Sequence, residues 1–136
     1  MQKLSYEDRE KVWSGAISNG KKMYVAEDSK GKIVGFSIGG KERSGNYPEY
    51  AGEVYAIYIL EAFQGQGIGK RLMKPVVNDL LEQQIESMIV LVLEKNNSRY
   101  FYEALGAKEI DSIDMKIGGK TLTEVVYGWD NIRDIL

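Results

Sequence analysis

Two kinds of spacing between apolar and polar residues divide the chain into strands and helices. Short runs that alternate, or that are continuously apolar, predict six β-strands. Residues typical of hairpin turns join two pairs of these strands, one from Asp28 to Gly31 and the other at Gly118-Gly119. The run from Met88 is apolar throughout, which is typical of a strand buried on both faces. The predicted strands are residues 22–27, 33–38, 54–60, 88–93, 110–117 and 120–129.

Helical spacing predicts three helices. In the first, about 14 residues long, apolar residues at positions 12, 13, 16 and 17 share one face, and Asn19-Gly20 ends the helix. In the second, an apolar stripe runs as far as Leu81, and Pro75 should bend the helix because proline lacks a backbone N–H. Gly106 ends the third. The predicted helices begin at Ser5, at Ile68 and at Asn97 or Ser98.

The order of these elements predicts a single domain over residues 1–136. A helical crossover makes the strands at 54–60 and 88–93 parallel neighbours, whereas the hairpins are antiparallel. The fold class is therefore α/β (α+β), with a mixed, mostly antiparallel central sheet and flanking helices. Residues 39–50 are polar and form a mobile connection that could border a substrate site.

A glycine-rich turn, Gln64-Gly65-Gln66-Gly67-Ile68-Gly69, joins the third predicted strand to the second helix. A helix N-terminus presents unpaired backbone N–H groups to an anion, so the turn predicts a phosphate or pyrophosphate site. The glycines would let the phosphate approach, and Lys70 and Arg71 would neutralise its charge. A Walker A loop is excluded by the spacing and by Arg71 standing after Lys70, and the dinucleotide-binding fingerprint is excluded by its third glycine arriving one position early.

Composition narrows the chemistry further. The net charge of −2 argues against general nucleic-acid binding, and the sequence has no membrane span and no apolar signal core at its start. A cytoplasmic protein is expected. With no Cys and no His, disulfides, a thiolate metal site and a Cys acyl-enzyme are excluded, and no metal is expected.

Two motifs resemble the GNAT superfamily of acyl-CoA-dependent N-acetyltransferases. They are Gln64-x-x-Gly67-x-Gly69 and the segment from Asn97 through Phe101-Tyr102 to Gly106. The resemblance covers nearly the whole chain and implies a GNAT fold, with acetyl-CoA in a splay between the two parallel strands. It implies direct acetyl transfer to a primary amine in a ternary complex. The implied cofactor-binding residues are Ile57, Tyr58, Ile59, Gln64, Gly65, Gln66, Gly67, Ile68, Gly69, Lys70 and Asn97.

The same resemblance suggests catalytic roles. A protonated amine needs a base, and Glu53 stands where some family members carry one; it could instead be a solvated or hydrogen-bonded carboxylate at a strand end. Tyr102 occupies the position of the family's general acid, or else it only packs. A backbone N–H near Ile59 would stabilise the oxyanion.

One departure from the family pattern concerns the N-terminal part. A strand and a helix usually precede the element that begins here at Ser5, so the strand at 22–27 would be a sheet edge and a homodimer is one way to cover it. An acceptor site left incomplete by this gap would make the chain a non-catalytic acyl-CoA-binding or interaction module. A nucleotide-phosphate binder unrelated to CoA is a third reading. The acceptor could be a small-molecule or a peptide amine, and acidic Glu42 and Glu49 hint weakly that it is cationic.

Overall fold

The computed structural model describes the backbone of residues 11–16 and the whole of residues 22–136. A 7-stranded sheet has the strand order β1-β2-β3-β4-β5-β7-β6. The strands are β1 (Lys11–Ala16), β2 (Lys22–Glu27), β3 (Ile33–Lys41), β4 (Gly52–Ile59), β5 (Met88–Leu93), β6 (Lys108–Ile117) and β7 (Lys120–Trp129). The helices are α1 (Ile68–Glu82) and α2 (Ser98–Ala104), with 3-10 turns at Glu61–Phe63 and Ile132–Ile135.

The first predicted helix is wrong where the structure describes it. Residues 11–16 form β1, which pairs antiparallel with β2 over its whole length, from Lys11 opposite Glu27 to Ala16 opposite Lys22. Its predicted ends at Ser5 and Asn19-Gly20 lie outside the described residues. Because β1 covers β2, the expectation that β2 is a sheet edge is also wrong, and the reason for expecting a homodimer does not hold.

The other predicted elements are confirmed as strands and helices, with small changes at their ends. β2 and β3 form the predicted antiparallel hairpin, and β3 extends three residues further, to Lys41. The C-terminal hairpin turns at Gly118-Gly119, where both glycines have positive φ. No helix in residues 22–136 is long and apolar enough to cross a membrane.

Helix α1 lies across the sheet and supplies much of the core. Its apolar stripe is buried against β3 and β4, and Pro75 lies inside the helix. Ser37 on β3 donates a buried hydrogen bond of 2.9 Å to the Leu72 carbonyl, which fixes the helix against the strand. The buried residues of α1 are Ile68, Gly69, Leu72, Met73, Val76, Val77 and Leu80.

The two parallel strands, β4 and β5, separate partway along. Among the described residues their pairing runs only from Gly52 opposite Met88 to Val54 opposite Val90. Beyond that point β4 stays paired with β3 and β5 stays paired with β7. The sheet therefore opens between residues 55–59 of β4 and the second half of β5.

Residues 42–51 connect β3 to β4 and are tied to distant parts of the sheet. The Tyr47 hydroxyl donates to Asp111 at 2.7 Å, and the Tyr50 hydroxyl donates to Asp130 at 2.8 Å. The Tyr50 ring also lies against Gly128, where an added Cβ would come within 2.8 Å of it. The mobile connection was predicted over residues 39–50; residues 39–41 instead belong to β3, and the rest is anchored at both tyrosines.

Candidate active site

A cavity of about 610 Å³ lies where the sheet opens, between the end of β4, the glycine turn and α2. This volume is within the usual range for small-molecule sites. Three segments that are distant in sequence meet there. The lining residues are Ile57, Ile59, Gln64, Gly65, Gly67, Gly69, Lys70, Asn96, Asn97, Ser98, Phe101 and Tyr102.

The glycine turn gives this cavity a positive end. Gly65 (φ 77°) and Gly67 (φ 83°) adopt the left-handed conformation that glycine tolerates, and Gly67 is the N-cap of α1. The first turn of the helix closes with Arg71 N–H donating to the Gly67 carbonyl at 3.2 Å. The N–H groups ahead of Arg71 have no acceptor within the helix, and the exposed Lys70 adds a full charge. The arrangement can bind a phosphate or pyrophosphate.

Gly69 serves a different purpose from the other two glycines. It is buried, and an added Cβ would lie 2.9 Å from the Phe101 ring and 3.2 Å from the Ile59 side chain. By contrast, nothing lies within 4 Å of a Cβ added at Gly65 or Gly67. The expectation that all three glycines clear space for a phosphate is therefore incomplete, because Gly69 lets α1 approach α2.

The backbone of β4 contributes hydrogen-bonding groups to the opening. Leu60 N–H donates to Val34 on β3 at 2.9 Å, and N–H groups alternate direction along a strand, so the N–H groups of Ile57 and Ile59 face the opening. Gln64 folds back and donates from Nε2 to the Ile59 carbonyl at 3.0 Å. In this structure the Gln64 side chain thus fixes the glycine turn to the end of β4.

Tyr102 brings a phenol to the cavity. It is only 4% exposed, and burial raises the pKa of its hydroxyl to about 12, so the group stays protonated at neutral pH. Its ring contacts Phe101 at 5.4 Å and meets Trp129 edge-on at 6.1 Å between centroids. No residue of the described chain hydrogen-bonds its hydroxyl, which leaves it able to donate to a bound molecule.

A network of polar side chains connects helix α2 to the sheet. Tyr127 on β7 donates to Glu103 at 2.6 Å and accepts from Arg99 Nε at 3.2 Å. Arg99 also donates to the Glu94 carbonyl at 3.0 Å. These contacts join both ends of a short helix to the sheet and so set the position of Tyr102.

Glu53 lies on β4 but does not line the cavity. Glu53 is only 4% exposed, and its carboxylate accepts three hydrogen bonds from Arg43. Arg43 Nη2 donates to Oε2 at 2.7 Å, while the Arg43 backbone N–H and Nε donate to Oε1 at 3.0 and 3.3 Å. The structure therefore shows Glu53 as a hydrogen-bonded carboxylate, and its role as a base stays a prediction.

The structure brings most, but not all, of the proposed site residues together. Tyr58 does not line the cavity; it is 54% exposed and its ring lies 6.1 Å from that of Phe36. Gln66 and Ile68 do not line it either, and Ile68 belongs to the core. The cofactor-site residues that line the cavity are Ile57, Ile59, Gln64, Gly65, Gly67, Gly69, Lys70 and Asn97.

Sequence analysis missed three residues of the lining: Asn96, Ser98 and Phe101. Asn96 Oδ1 accepts from the Ser98 N–H at 2.8 Å, so Asn96 takes the hydrogen-bonding role expected of a cap at Asn97. The Asn96-Asn97 doublet before a helix is the signal that could have pointed to it. Among residues 22–136, no group of three or more His, Cys, Asp or Glu side chains is placed to hold a metal.

Comparison with known proteins gives the same family at the level of sequence and of fold. The acetyltransferase (GNAT) domain family matches residues 2–120. The uncharacterized N-acetyltransferase YuaI of Bacillus subtilis (strain 168) is 36% identical over 132 residues, which is 97% of this chain and 75% of that protein.

Two solved structures resemble the fold. One is yncA from Salmonella typhimurium with its cofactor acetyl-CoA (TM-score 0.67, 21% identity, 83% of this chain and 65% of that one). The other is a GNAT superfamily phosphinothricin acetyltransferase from Sinorhizobium meliloti in complex with acetyl-CoA (TM-score 0.65, 23% identity, 82% and 61%). At these identities the likeness concerns the fold alone. On the match of the family to most of its length, this chain belongs to the GNAT family of acetyltransferases.

Proposed function

We propose that the chain transfers an acetyl group from acetyl-CoA to a primary amine, directly, within a ternary complex. The observation that carries this proposal is the cavity at the opening of the sheet, where a glycine turn at a helix N-terminus, the open edge of β4 and a buried phenol meet. A small phosphate site would need only the first of these. An acyl thioester on a long pantetheine arm needs all three.

Each part of the cavity suits one part of acetyl-CoA. The N–H groups of the glycine turn and Lys70 would bind the pyrophosphate, and Asn97 would contact the cofactor arm. The N–H groups of Ile57 and Ile59 would bond the pantetheine in the way a neighbouring strand would. Two proteins of similar fold, yncA and the Sinorhizobium meliloti acetyltransferase, were solved with acetyl-CoA, which supports acetyl-CoA as the ligand.

The chemistry requires a base, an oxyanion donor and a proton for the departing sulfur. In our proposal Glu53 takes one proton from the ammonium group of the acceptor, and the free amine attacks the thioester carbon. A backbone N–H near Ile59 stabilises the oxyanion. As the C–S bond breaks, Tyr102 donates a hydrogen bond to the sulfur and relays the second amine proton to it. The products are an amide, CoA thiol and one proton released from Glu53.

One observation favours the rival function, a non-catalytic acyl-CoA-binding module. Glu53 is engaged by Arg43 and lies outside the cavity lining, so the base is not ready for use in this arrangement. A catalytic chain must release that carboxylate when the acceptor binds. A module that only binds acyl-CoA has no such requirement.

The first test is a calorimetric titration with acetyl-CoA, with CoA, ATP and NAD as comparison ligands. We expect acetyl-CoA to bind the wild type and to lose at least about tenfold in affinity in Gly67→Glu, because a carboxylate at the helix N-terminus repels the pyrophosphate. Gly31→Glu is the matched control. Gly31 has φ 81° against 83° for Gly67 and equally open surroundings, but it lies in the β2–β3 turn.

The control separates charge at the site from backbone strain. Equal losses in both variants would assign the effect to strain and remove support for the pyrophosphate site. If ATP or NAD bound as tightly as acetyl-CoA, the site would be a general phosphate site and the proposal would fail. Tight acetyl-CoA binding without acetylation of any amine in a broad panel would favour the rival module.

A further inference from the structure

The contact between Glu53 and Arg43 has the composition of a cation-binding site. The Glu53 side chain is 5% exposed, and the Arg43 guanidinium that pairs with it lies 4.1 Å above the centre of the Tyr55 ring. A buried carboxylate beside an aromatic face is the usual setting for an ammonium or guanidinium group. The cation that fills the site here belongs to the chain itself.

Arg43 reaches the buried carboxylate from the exposed side of the site. It lies on the connection between β3 and β4, and its side chain is 57% exposed, against 5% for the carboxylate it contacts. The two carboxylate oxygens are held differently. Oε1 also accepts from the Arg43 backbone N–H, whereas Oε2 is bonded by Nη2 of the side chain. If the guanidinium left, Oε1 would keep its backbone partner and Oε2 would be ready for another cation.

The position of the site in the sheet connects it to acetyl transfer. Glu53 precedes Val54, which is the last residue of β4 paired with β5. Tyr55 follows at the point where the register between β3 and β4 shifts. Both residues therefore belong to β4 at the point where its pairing with β5 ends, and the Tyr55 hydroxyl donates to the Lys41 carbonyl of β3 at 2.6 Å.

We infer that the Arg43 guanidinium occupies the subsite formed by the Glu53 carboxylate and the Tyr55 ring until the ammonium group of the acceptor displaces it. This inference rests on the proposed acetyl transfer, since it names where the acceptor of that reaction binds. It also gives Arg43 a role as an internal competitor that keeps Glu53 engaged in the absence of acceptor.

The test removes the competitor and measures binding of two small cations without acetyl-CoA. Arg43→Met keeps much of the side-chain volume but not the charge. We expect it to bind both ethylammonium and ethylguanidinium saturably, and at least about tenfold more tightly than wild type, because the wild-type subsite is open only a small fraction of the time. Adding Glu53→Gln to Arg43→Met should abolish the binding of both.

Arg133→Met is the matched control. Arg133 forms a similar pair with Glu86 at 3.3 Å, but both side chains are more than half exposed, at 53% and 59%. Its loss should create no saturable site. If Arg43→Met fails to fold, Arg43→Gln replaces it, and amide NMR of the wild type at high ethylammonium should show shifts at Tyr55 and in residues 42–51.

Two results would overturn the inference. If Arg43→Met bound ethylguanidinium but not ethylammonium, the site would accept only a replacement for the removed guanidinium group and would not be a site for an amine. Equal affinities in wild type and Arg43→Met would mean that Arg43 does not compete. Because these titrations omit acetyl-CoA, their failure is distinct from a failure of acetyl-CoA to bind. Where transfer to ethylamine is measurable, its KM should fall about tenfold in Arg43→Met.

Discussion

Tyr102 is the residue whose environment most directly suggests a catalytic task. Burial raises the pKa of its hydroxyl to about 12, which keeps the proton on the phenol over the whole neutral range. We predict that Tyr102→Phe lowers kcat by about 100-fold or more, since a lost proton donor typically costs that much. Acetyl-CoA affinity should change by less than about threefold, because the ring remains in place.

Tyr100→Phe provides the comparison for this experiment. Tyr100 is on the same helix but is 61% exposed and does not line the cavity, so its hydroxyl should be dispensable. Steady-state kinetics and calorimetry on both variants separate turnover from binding. If Tyr102→Phe matched Tyr100→Phe in kcat, Tyr102 would have only a packing role.

The close packing around Gly69 leads to a prediction about stability. Its replacement by Ala would push a Cβ to 2.9 Å from the Phe101 ring, and overpacking of this kind costs about 1–3 kcal/mol. Alanine recovers about 1 kcal/mol of helix propensity, so the expected net loss in the free energy of unfolding is about 0–2 kcal/mol. Urea denaturation of Gly69→Ala, Phe101→Leu and the double variant would measure it. Strictly additive losses would show that the ring is not what constrains Gly69.

At this scale the sequence predicts what local spacing controls. The turn from Gln64 to Gly69 was recognisable because its positive φ angles require glycine at fixed positions. The hydrogen bonds between Glu53 and Arg43 were not recognisable, because Arg43 lies on the β3–β4 connection, 10 positions earlier in the sequence. The close approach of Gly69 to Phe101 depends on how two helices pack. Spacing within either helix does not contain that information.

Among the elements, α1 carries an unusual residue in Pro75. Proline in a helix interior removes the hydrogen bond to the carbonyl four residues earlier, here that of Arg71, and crowds the same carbonyl. We predict that Pro75→Ala raises the free energy of unfolding by about 1–3 kcal/mol, measured by urea denaturation. Lys74→Ala on the neighbouring exposed position is the control and should change stability by less than about 0.5 kcal/mol. An unchanged or lower stability for Pro75→Ala would mean that the packing of α1 in the core depends on the proline.

The first element shows why a short periodic pattern can mislead. Apolar residues at 12, 13, 16 and 17 fit one face of a helix, but a run of this length does not distinguish a helix from a strand. Residues 11–16 pair with β2 along its whole length, and that ladder gives the backbone of each strand hydrogen-bond partners along one side. Tertiary pairing overrides local propensity here, and β2 gains the neighbour that the sequence analysis expected it to lack.

For the whole molecule, the opening of the sheet depends on the outer neighbours of the two strands. β5 is paired with β7 from Met88 to Leu93, and β4 is paired with β3 as far as Ile59. Each strand therefore keeps one complete ladder when it separates from the other. The apolar patterns identified both strands and their parallel relation. They could not show where pairing ends, because both strands are apolar beyond that point.

Alkaline pH should destabilise the molecule through its tyrosines. Among residues 22–136, burial raises the pKa of six of the eight tyrosines, and hydrogen bonds to carboxylates add to the effect at four of them. The six are Tyr24, Tyr47, Tyr50, Tyr55, Tyr102 and Tyr127. Because the pKa is higher in the folded state than the ordinary value of 10.0, these groups support the fold fully below about pH 10. Their contribution is lost as pH rises through about 12, when the unfolded chain gains more by releasing the protons.

Tyr102 allows this effect to be measured for a single group. Its pKa rises from 10.0 to about 12, a shift that corresponds to about 2 kcal/mol of stability lost between those pH values. We expect the free energy of unfolding, from urea denaturation at about pH 8 to about pH 11.5, to fall less steeply in Tyr102→Phe than in wild type. Tyr100→Phe should keep the wild-type slope. Parallel slopes for all three proteins would show that the Tyr102 hydroxyl ionises as readily in the folded chain as in the unfolded one, and such a phenol is not the shielded proton donor that acetyl transfer in this cavity requires.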